Sequence, residues 1–210
     1  MKIICFDCDS TLSGIEGIDE LGRLRGPAVF ADVEGMTTDA MNGKIPVESV
    51  FGSRLELIRP SRGDVAAVGR RYVETVEPTA LRTVTTLKSR GWTPVIVSAG
   101  FTQAIQPLAD WLGIAMIKAV DLTFAPDGSY TGFDSSFPAT RSGGKPLVVR
   151  ALKEQFSPEK VVAIGDGVSD LETKPEVDLF VGFGRYVVRP RVEREAGKFI
   201  RALDELLALI

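Results

Sequence analysis

Two aspartates one residue apart, Asp7 and Asp9, close the apolar run Ile3-Ile4-Cys5-Phe6 near the start of the chain. A run with no polar residue for either face suits a central strand of a parallel sheet covered on both sides. Carboxylates just past its carboxyl end then stand on the rim where open α/β sheets bind ligands. If the chain stays extended, the two-residue spacing turns both to one side. Read alone, the pair also fits, less well, a turn cap beside a solvated acid. Other polar residues mark the same rim: Ser98 after a second apolar run, Asp166 within Gly165-Asp166-Gly167 after another, and Asp170 just beyond. Lys145, preceded by Gly143-Gly144, opens the helix that feeds the last of these strands. Singly, each has an ordinary reading as helix cap, turn residue, first-turn acid or solvated lysine. Jointly those readings need independent accidents on one edge.

Grouped carboxylates repel one another unless a cation joins them, and Mg²⁺ with phosphate oxygens is the natural choice for an all-oxygen set. Ser98 and Lys145 then offer a hydrogen bond and a positive charge to a phosphoryl group. The chain contains no histidine, which excludes Ser-His-Asp and Cys-His nucleophilic sites and histidine-ligated zinc. An ionised carboxylate needs no base to attack phosphorus, so Asp7 is the expected nucleophile of an aspartyl-phosphate route. Asp9 would protonate the leaving alkoxide and then deprotonate the attacking water.

The elements that must position these groups follow from periodicity. Apolar residues recur at helical spacing at Ile15, Ile18, Leu21 and Leu24, at Val33, Met36, Ala40 and Met41, from Val47 to Ile58, and from Val65 to Val76. Residues 14–77 therefore read as helices without a clear strand, a cap inserted after the first strand. Beyond Pro78 the pattern alternates: a helix to Gly91, a strand over 94–97 ended by Ser98-Ala99-Gly100, a helix over 102–112 and a short strand over 115–117. A hairpin around Pro126-Asp127-Gly128, a polar loop over 134–144, a helix over 145–155 and strands over 161–164 and 179–181 follow. A final amphipathic helix carrying Phe199, Ile200, Leu203, Leu206 and Leu207 closes the chain. The fold class is α/β, a doubly wound parallel sheet formed by residues 1–13 and 78–210 with the helical cap at 14–77.

Composition narrows the partners. The 210 residues carry 25 basic and 28 acidic side chains, net charge −3, spread along the chain, so nothing marks a nucleic-acid or anionic-membrane surface. No apolar segment approaches the ~18 residues of a membrane span and no leader pattern precedes the first strand, so a cytoplasmic location is expected. The two cysteines, Cys5 and Cys8, lack the second pair a four-cysteine metal site needs and read as reduced packing residues. Oligomeric state is not written in the sequence; a homodimer is compatible with it.

The ordered set Asp7-Cys8-Asp9-Ser10-Thr11, Ser98, Lys145 and Gly165-Asp166-Gly167-Val168-Ser169-Asp170 resembles the four motifs of the haloacid dehalogenase-like (HAD) hydrolase superfamily. The resemblance covers the whole chain and implies a HAD-like Rossmannoid core with a small cap. It is closest to the members that hydrolyse phosphoserine, in Asp7–Leu12, Ser142-Gly143-Gly144-Lys145, Gly165–Asp170 and Val181-Gly182-Phe183-Gly184. What it implies is a phosphatase giving L-serine and phosphate, the last step of serine biosynthesis. Asp7, the backbone carbonyl of Asp9, and Asp166 would hold Mg²⁺; Ser98, Ala99, Gly100 and Lys145 would bind phosphate; Asp170 and Ser169 would support them. In the cap, Glu16 matches the position for the substrate ammonium and Arg54 that for its carboxylate, with Met41 and Val47 lining the pocket; without the resemblance Glu16 and Arg54 read as surface charges.

The sequence departs from the pattern at Ala99, where glycine commonly follows the serine, at Ser169, where asparagine or threonine is common, and at Arg185-Tyr186. Arg189 resembles a ligand-side arginine of longer-loop members. A HAD phosphatase for another small phosphorylated metabolite, such as phosphothreonine, phosphoethanolamine, phosphocholine or a sugar phosphate, stays open. A phosphoacceptor signalling domain fits less well, because Asp9 and the cap would have no task there. A mutase or an inactive scaffold of the same fold completes the alternatives.

Overall fold

The computed structural model describes residues 1–210. Its centre is a six-stranded sheet in the order β3-β2-β1-β6-β7-β8, with every neighbouring pair parallel. The strands are β1 (Lys2–Phe6), β2 (Trp92–Phe101), β3 (Met116–Val120), β6 (Lys160–Gly165), β7 (Leu179–Phe183) and β8 (Lys198–Ile200), while β4 (Leu122–Phe124) and β5 (Tyr130–Phe133) form a separate antiparallel hairpin. Ile4 and Phe6 of β1 pack into one core layer and Ile3 and Cys5 into the other. That two-sided burial is the reason the strand has no polar residue. The sheet reverses its winding between β1 and β6, so Asp7 and Asp166 leave the sheet side by side at the switch point.

Helices α1 (Gly17–Arg23), α2 (Pro27–Met41), α3 (Phe51–Ile58) and α4 (Arg62–Glu74) lie between β1 and α5 (Ala80–Ser89). The strands that enter and leave this segment are zipped together: Gly14 N–H donates to Thr75 O at 2.9 Å, Glu77 N–H to Leu12 O at 2.9 Å, and the Ser13 and Thr75 hydroxyls meet at 2.8 Å. The remaining helices are α6 (Thr102–Leu112), α7 (Gly144–Phe156), α8 (Val168–Leu171) and α9 (Pro190–Glu195). No helix is long and apolar enough to cross a membrane.

Three elements differ from the sequence reading. The helix expected from Val47 to Ile58 is a 3₁₀ turn (Val47–Ser49) followed by α3, separated at Val50, whose φ of −122° lies outside the helical region. Ser98-Ala99-Gly100 do not end their strand; β2 runs on to Phe101 with a register shift after Val97, which bends Ser98 and Gly100 toward Asp9. The terminal helix is not formed: Phe199 and Ile200 belong to β8, and Leu203–Ala208 is a 3₁₀ turn. The Phe199 ring fills the space over Gly182 and Gly184, where a Cβ would come within 2.7 and 2.3 Å of it. This contact fixes the residue as a strand partner, and helical spacing in the sequence does not reveal it.

Candidate active site

Asp7 is still paired to the sheet, its N–H donating to Ile164 O at 2.9 Å, and its carboxylate is buried. The chain then wraps through a single wide turn over Cys8–Leu12 in which Ser10 takes φ 51°, a left-handed conformation that costs a non-glycine residue of order 1 kcal/mol. That turn separates the two carboxylates. Asp7 faces the β6 side and Asp9 faces β2.

On the β6 side Lys145 lies between two acids, its Nζ donating to Asp7 Oδ1 at 2.7 Å and to Asp170 Oδ1 at 2.5 Å. Lys145 reaches them from the first turn of α7. That turn passes so close to the Pro138 carbonyl that a Cβ on residue 144 would lie 1.8 Å from its oxygen, which is why glycine precedes the lysine. Asp170 Oδ2 accepts from Gly167 N–H at 3.0 Å, and Asp166 Oδ2 accepts from Arg189 Nε at 2.9 Å. One carboxylate oxygen each of Asp7, Asp166 and Asp170 lies within 4.8 Å of the others.

On the β2 side Asp9 Oδ1 accepts from Gly17 N–H and from the Tyr72 hydroxyl, both at 2.6 Å, and Oδ2 from Ser98 Oγ at 3.3 Å. Ser98 Oγ in turn accepts from Gly100 N–H at 2.8 Å.

Burial pushes Asp7 up to about 7, with Lys145 pulling it down and Asp166 and Asp9 adding to the rise. Burial likewise raises Asp170 to about 7, with Asp7 adding and Lys145 opposing, and Asp166 to about 6 against the pull of Arg189. Glu16 is also held well above the usual carboxylate range by burial and by Asp9 and Asp166. Burial alone would depress Lys145; the Asp170 and Asp7 carboxylates override it and keep the ammonium charged. The pocket therefore holds more negative charge than its cations balance. Its donor set is all oxygen, which fits a hard divalent cation. Ser169, which also lines the pocket, has a buried Oγ with no partner in the protein, a further oxygen compatible with such a cation.

The raised acids fix a pH dependence. In the metal-free protein the folded state holds more protons than the unfolded chain between about pH 4 and pH 7, so stability falls as pH rises through that window. Exposed carboxylates held low by hydrogen bonds, such as Glu48 and Asp127, contribute in the opposite sense. The melting temperature in EDTA is expected to drop from about pH 5 to pH 8, and Mg²⁺ is expected to raise it more at pH 8 than at pH 5. A flat EDTA profile, or an equal metal effect at both pH values, contradicts this electrostatic picture.

A cavity opens over these groups, and Asp7, Asp9, Glu16, Met41, Arg54, Ser98, Ala99, Gly100, Lys145, Asp166 and Ser169 all line it. Asp170 stands behind Lys145. Val47 lies outside the cavity, buried in the 3₁₀ turn with its N–H on Ser142 Oγ at 3.2 Å. Glu16 accepts from Ser10 Oγ at 2.7 Å and lies 3.7 Å from Arg189. Arg54, 4% exposed, donates from NH1 to Thr37 Oγ1 at 2.9 Å, while its Nε is buried with no partner and no carboxylate lies within salt-bridge distance. Ile18, Thr37, Phe51 and Phe101 complete the lining; sequence reasoning passed over them because each reads as ordinary helix or strand core.

The sequence pattern of the family described as haloacid dehalogenase-like hydrolase matches residues 4–173. The chain is 37% identical over 209 residues to the phosphoserine phosphatase of Bos taurus, covering 99% of this chain and 92% of that one. Among solved structures, a phosphoserine phosphohydrolase-like protein from Francisella tularensis subsp. tularensis SCHU S4 superposes with a TM-score of 0.91 at 28% identity, covering 100% of both chains. A substrate-bound phosphoserine phosphatase complex superposes with a TM-score of 0.86 at 28% identity, covering 100% of this chain and 98% of that one.

Proposed function

The chain belongs to the haloacid dehalogenase-like hydrolase family, and on that basis we propose that it is a Mg²⁺-dependent phosphatase that hydrolyses phosphoserine to serine and phosphate. The observation that carries the substrate is Arg54. A buried guanidinium with an unpartnered Nε is costly unless a ligand completes it, and a substrate carboxylate does so with two parallel hydrogen bonds. Glu16, which also lines the cavity, offers a carboxyl group that an incoming substrate ammonium would hold ionised. Phosphoethanolamine and phosphocholine carry no carboxylate and leave Arg54 unpaired. The relatives named phosphoserine phosphatase support the same reading.

In this reading residues 14–77 form the cap that carries the specificity residues, and residues 1–13 and 78–210 the catalytic core. Lys145 occupies Asp7 Oδ1, which leaves the other oxygen to attack phosphorus. The new Asp7–phosphorus bond forms as the ester P–O bond breaks, and the leaving serine alkoxide takes a proton from Asp9. Water then attacks the phosphorus, gives its proton back to Asp9, and phosphate leaves as the Asp7–phosphorus bond breaks. Ser98, Gly100 and Lys145 would bind the phosphoryl oxygens. Asp7, the backbone carbonyl of Asp9, and Asp166 would hold the metal, with Asp170 aligning Lys145. When bound, Mg²⁺ supplies positive charge to the phosphoryl group.

Arg54→Ala is expected to raise the KM for phosphoserine by about 100-fold or more, the equivalent of a charge-assisted bidentate contact. Hydrolysis of p-nitrophenyl phosphate, which has no carboxylate, is expected to change less than about threefold. Steady-state kinetics on both substrates checks this, and equal losses on the two would make Arg54 structural and remove the basis for the substrate assignment.

A further inference from the structure

Asp9 is the one rim carboxylate whose position is set by cap-segment residues on one oxygen only. Both donors to Oδ1, the Gly17 N–H and the Tyr72 hydroxyl, lie at 2.6 Å, whereas Oδ2 accepts only the longer hydrogen bond from Ser98 Oγ, at 3.3 Å, and Asp9 lines the cavity. Tyr72 is fully buried, at 0% exposure, and comes from α4, which packs along α6 of the core. Its phenol therefore arrives from a fixed support. Gly17 is matched to it: a Cβ at 17 would lie 2.1 Å from the Tyr72 oxygen, so only glycine lets the hydroxyl reach the carboxylate. On the other flank Gly100 is also close, since a Cβ there would lie 2.9 Å from Asp9 Oδ2.

We propose that Tyr72 is a positioning residue for the proton-transfer step: it saturates Asp9 Oδ1 together with Gly17, fixes the carboxylate plane, and leaves Oδ2 as the oxygen that gives and takes the proton. This rests on the reading of Asp9 as the acid and base. Its consequence depends on the leaving group. A serine alkoxide is a poor leaving group and needs the proton as the P–O bond breaks, whereas p-nitrophenolate leaves without it. Loss of orientation at Oδ2 therefore slows one substrate and spares the first step of the other.

The test is Tyr72→Phe, which removes one oxygen and keeps the ring, with Asp9→Asn alongside and melting temperatures recorded for both. Tyr72→Phe is expected to lower kcat on phosphoserine about 10–100-fold with little change in KM, the scale of a misoriented acid. The pre-steady-state burst of p-nitrophenol is expected to stay within about twofold of wild type. Asp9→Asn is expected to show the same split, more strongly. If Asp9→Asn shows the loss and Tyr72→Phe keeps the wild-type kcat on phosphoserine, the tyrosine only packs and the proposal fails. If Tyr72→Phe slows both substrates equally, its effect is structural and the proposal fails. If Asp9→Asn itself leaves phosphoserine turnover intact, the acid and base assignment fails and takes the proposal with it.

Discussion

Asp7→Asn is expected to lower phosphate release by a factor on the order of 10⁴ or more while leaving the protein folded. An amide oxygen is a poor nucleophile and cannot form the acyl phosphate, and no neighbouring carboxylate is placed to substitute. Asp9 is held toward β2 by Gly17 and Tyr72, and Asp170 lies behind Lys145. The same substitution removes a buried charge whose ionised form burial disfavours, as its rise to about 7 records. In EDTA at about pH 8 the variant is therefore expected to melt at or above the wild-type temperature, a gain in stability accompanying the loss of activity. Steady-state assays and thermal melts read the two halves separately. Activity within about tenfold of wild type contradicts the role of Asp7 as nucleophile.

Lys145→Met is expected to cost both activity and stability. The ammonium is 4% exposed and stands between Asp7 and Asp170 at 2.7 and 2.5 Å. Its removal leaves two buried carboxylates face to face, and breaking a buried ion pair from one side costs about 3–5 kcal/mol. Without the cation both acids rise further above their ordinary range, so the folded variant takes up protons the unfolded chain does not. Stability is then retained at low pH and lost as pH rises. Urea unfolding is expected to show a small deficit at about pH 5 and a large one at about pH 8, with turnover reduced at least about 10³-fold. An equal deficit at both pH values would mean that Lys145 acts through packing of its stem.

The gathering of these side chains on one rim was legible in the sequence because each follows an apolar strand or a glycine pair, and parallel topology brings strand ends to one edge. Asp7, Asp9, Ser98, Lys145 and Asp166 all line the same cavity for that reason. What stayed hidden depends on contacts distant in the chain. Tyr72 sits at helical spacing among apolar residues and reads as core, yet its hydroxyl meets Asp9 across 63 positions of sequence. Arg189, noted only by resemblance, is a buried partner of Asp166 set by the turn that enters α9, a helix the hydrophobic pattern does not announce. Val47 has the right chemistry for a pocket wall, but it lies in a 3₁₀ turn tied to Ser142 by its N–H and does not line the cavity. Phe199 reads as part of an amphipathic helix because the two glycines that receive its ring, Gly182 on β7 and Gly184 just past its end, are distant in the chain.

The most direct measurement is phosphate release with Mg²⁺ across phosphoserine, phosphothreonine, phosphoethanolamine, phosphocholine and several sugar phosphates, each repeated in EDTA. Strong preference for phosphoserine, abolished by EDTA, is the predicted result. Preference for a substrate without a carboxylate, or release that does not depend on magnesium, would contradict the account.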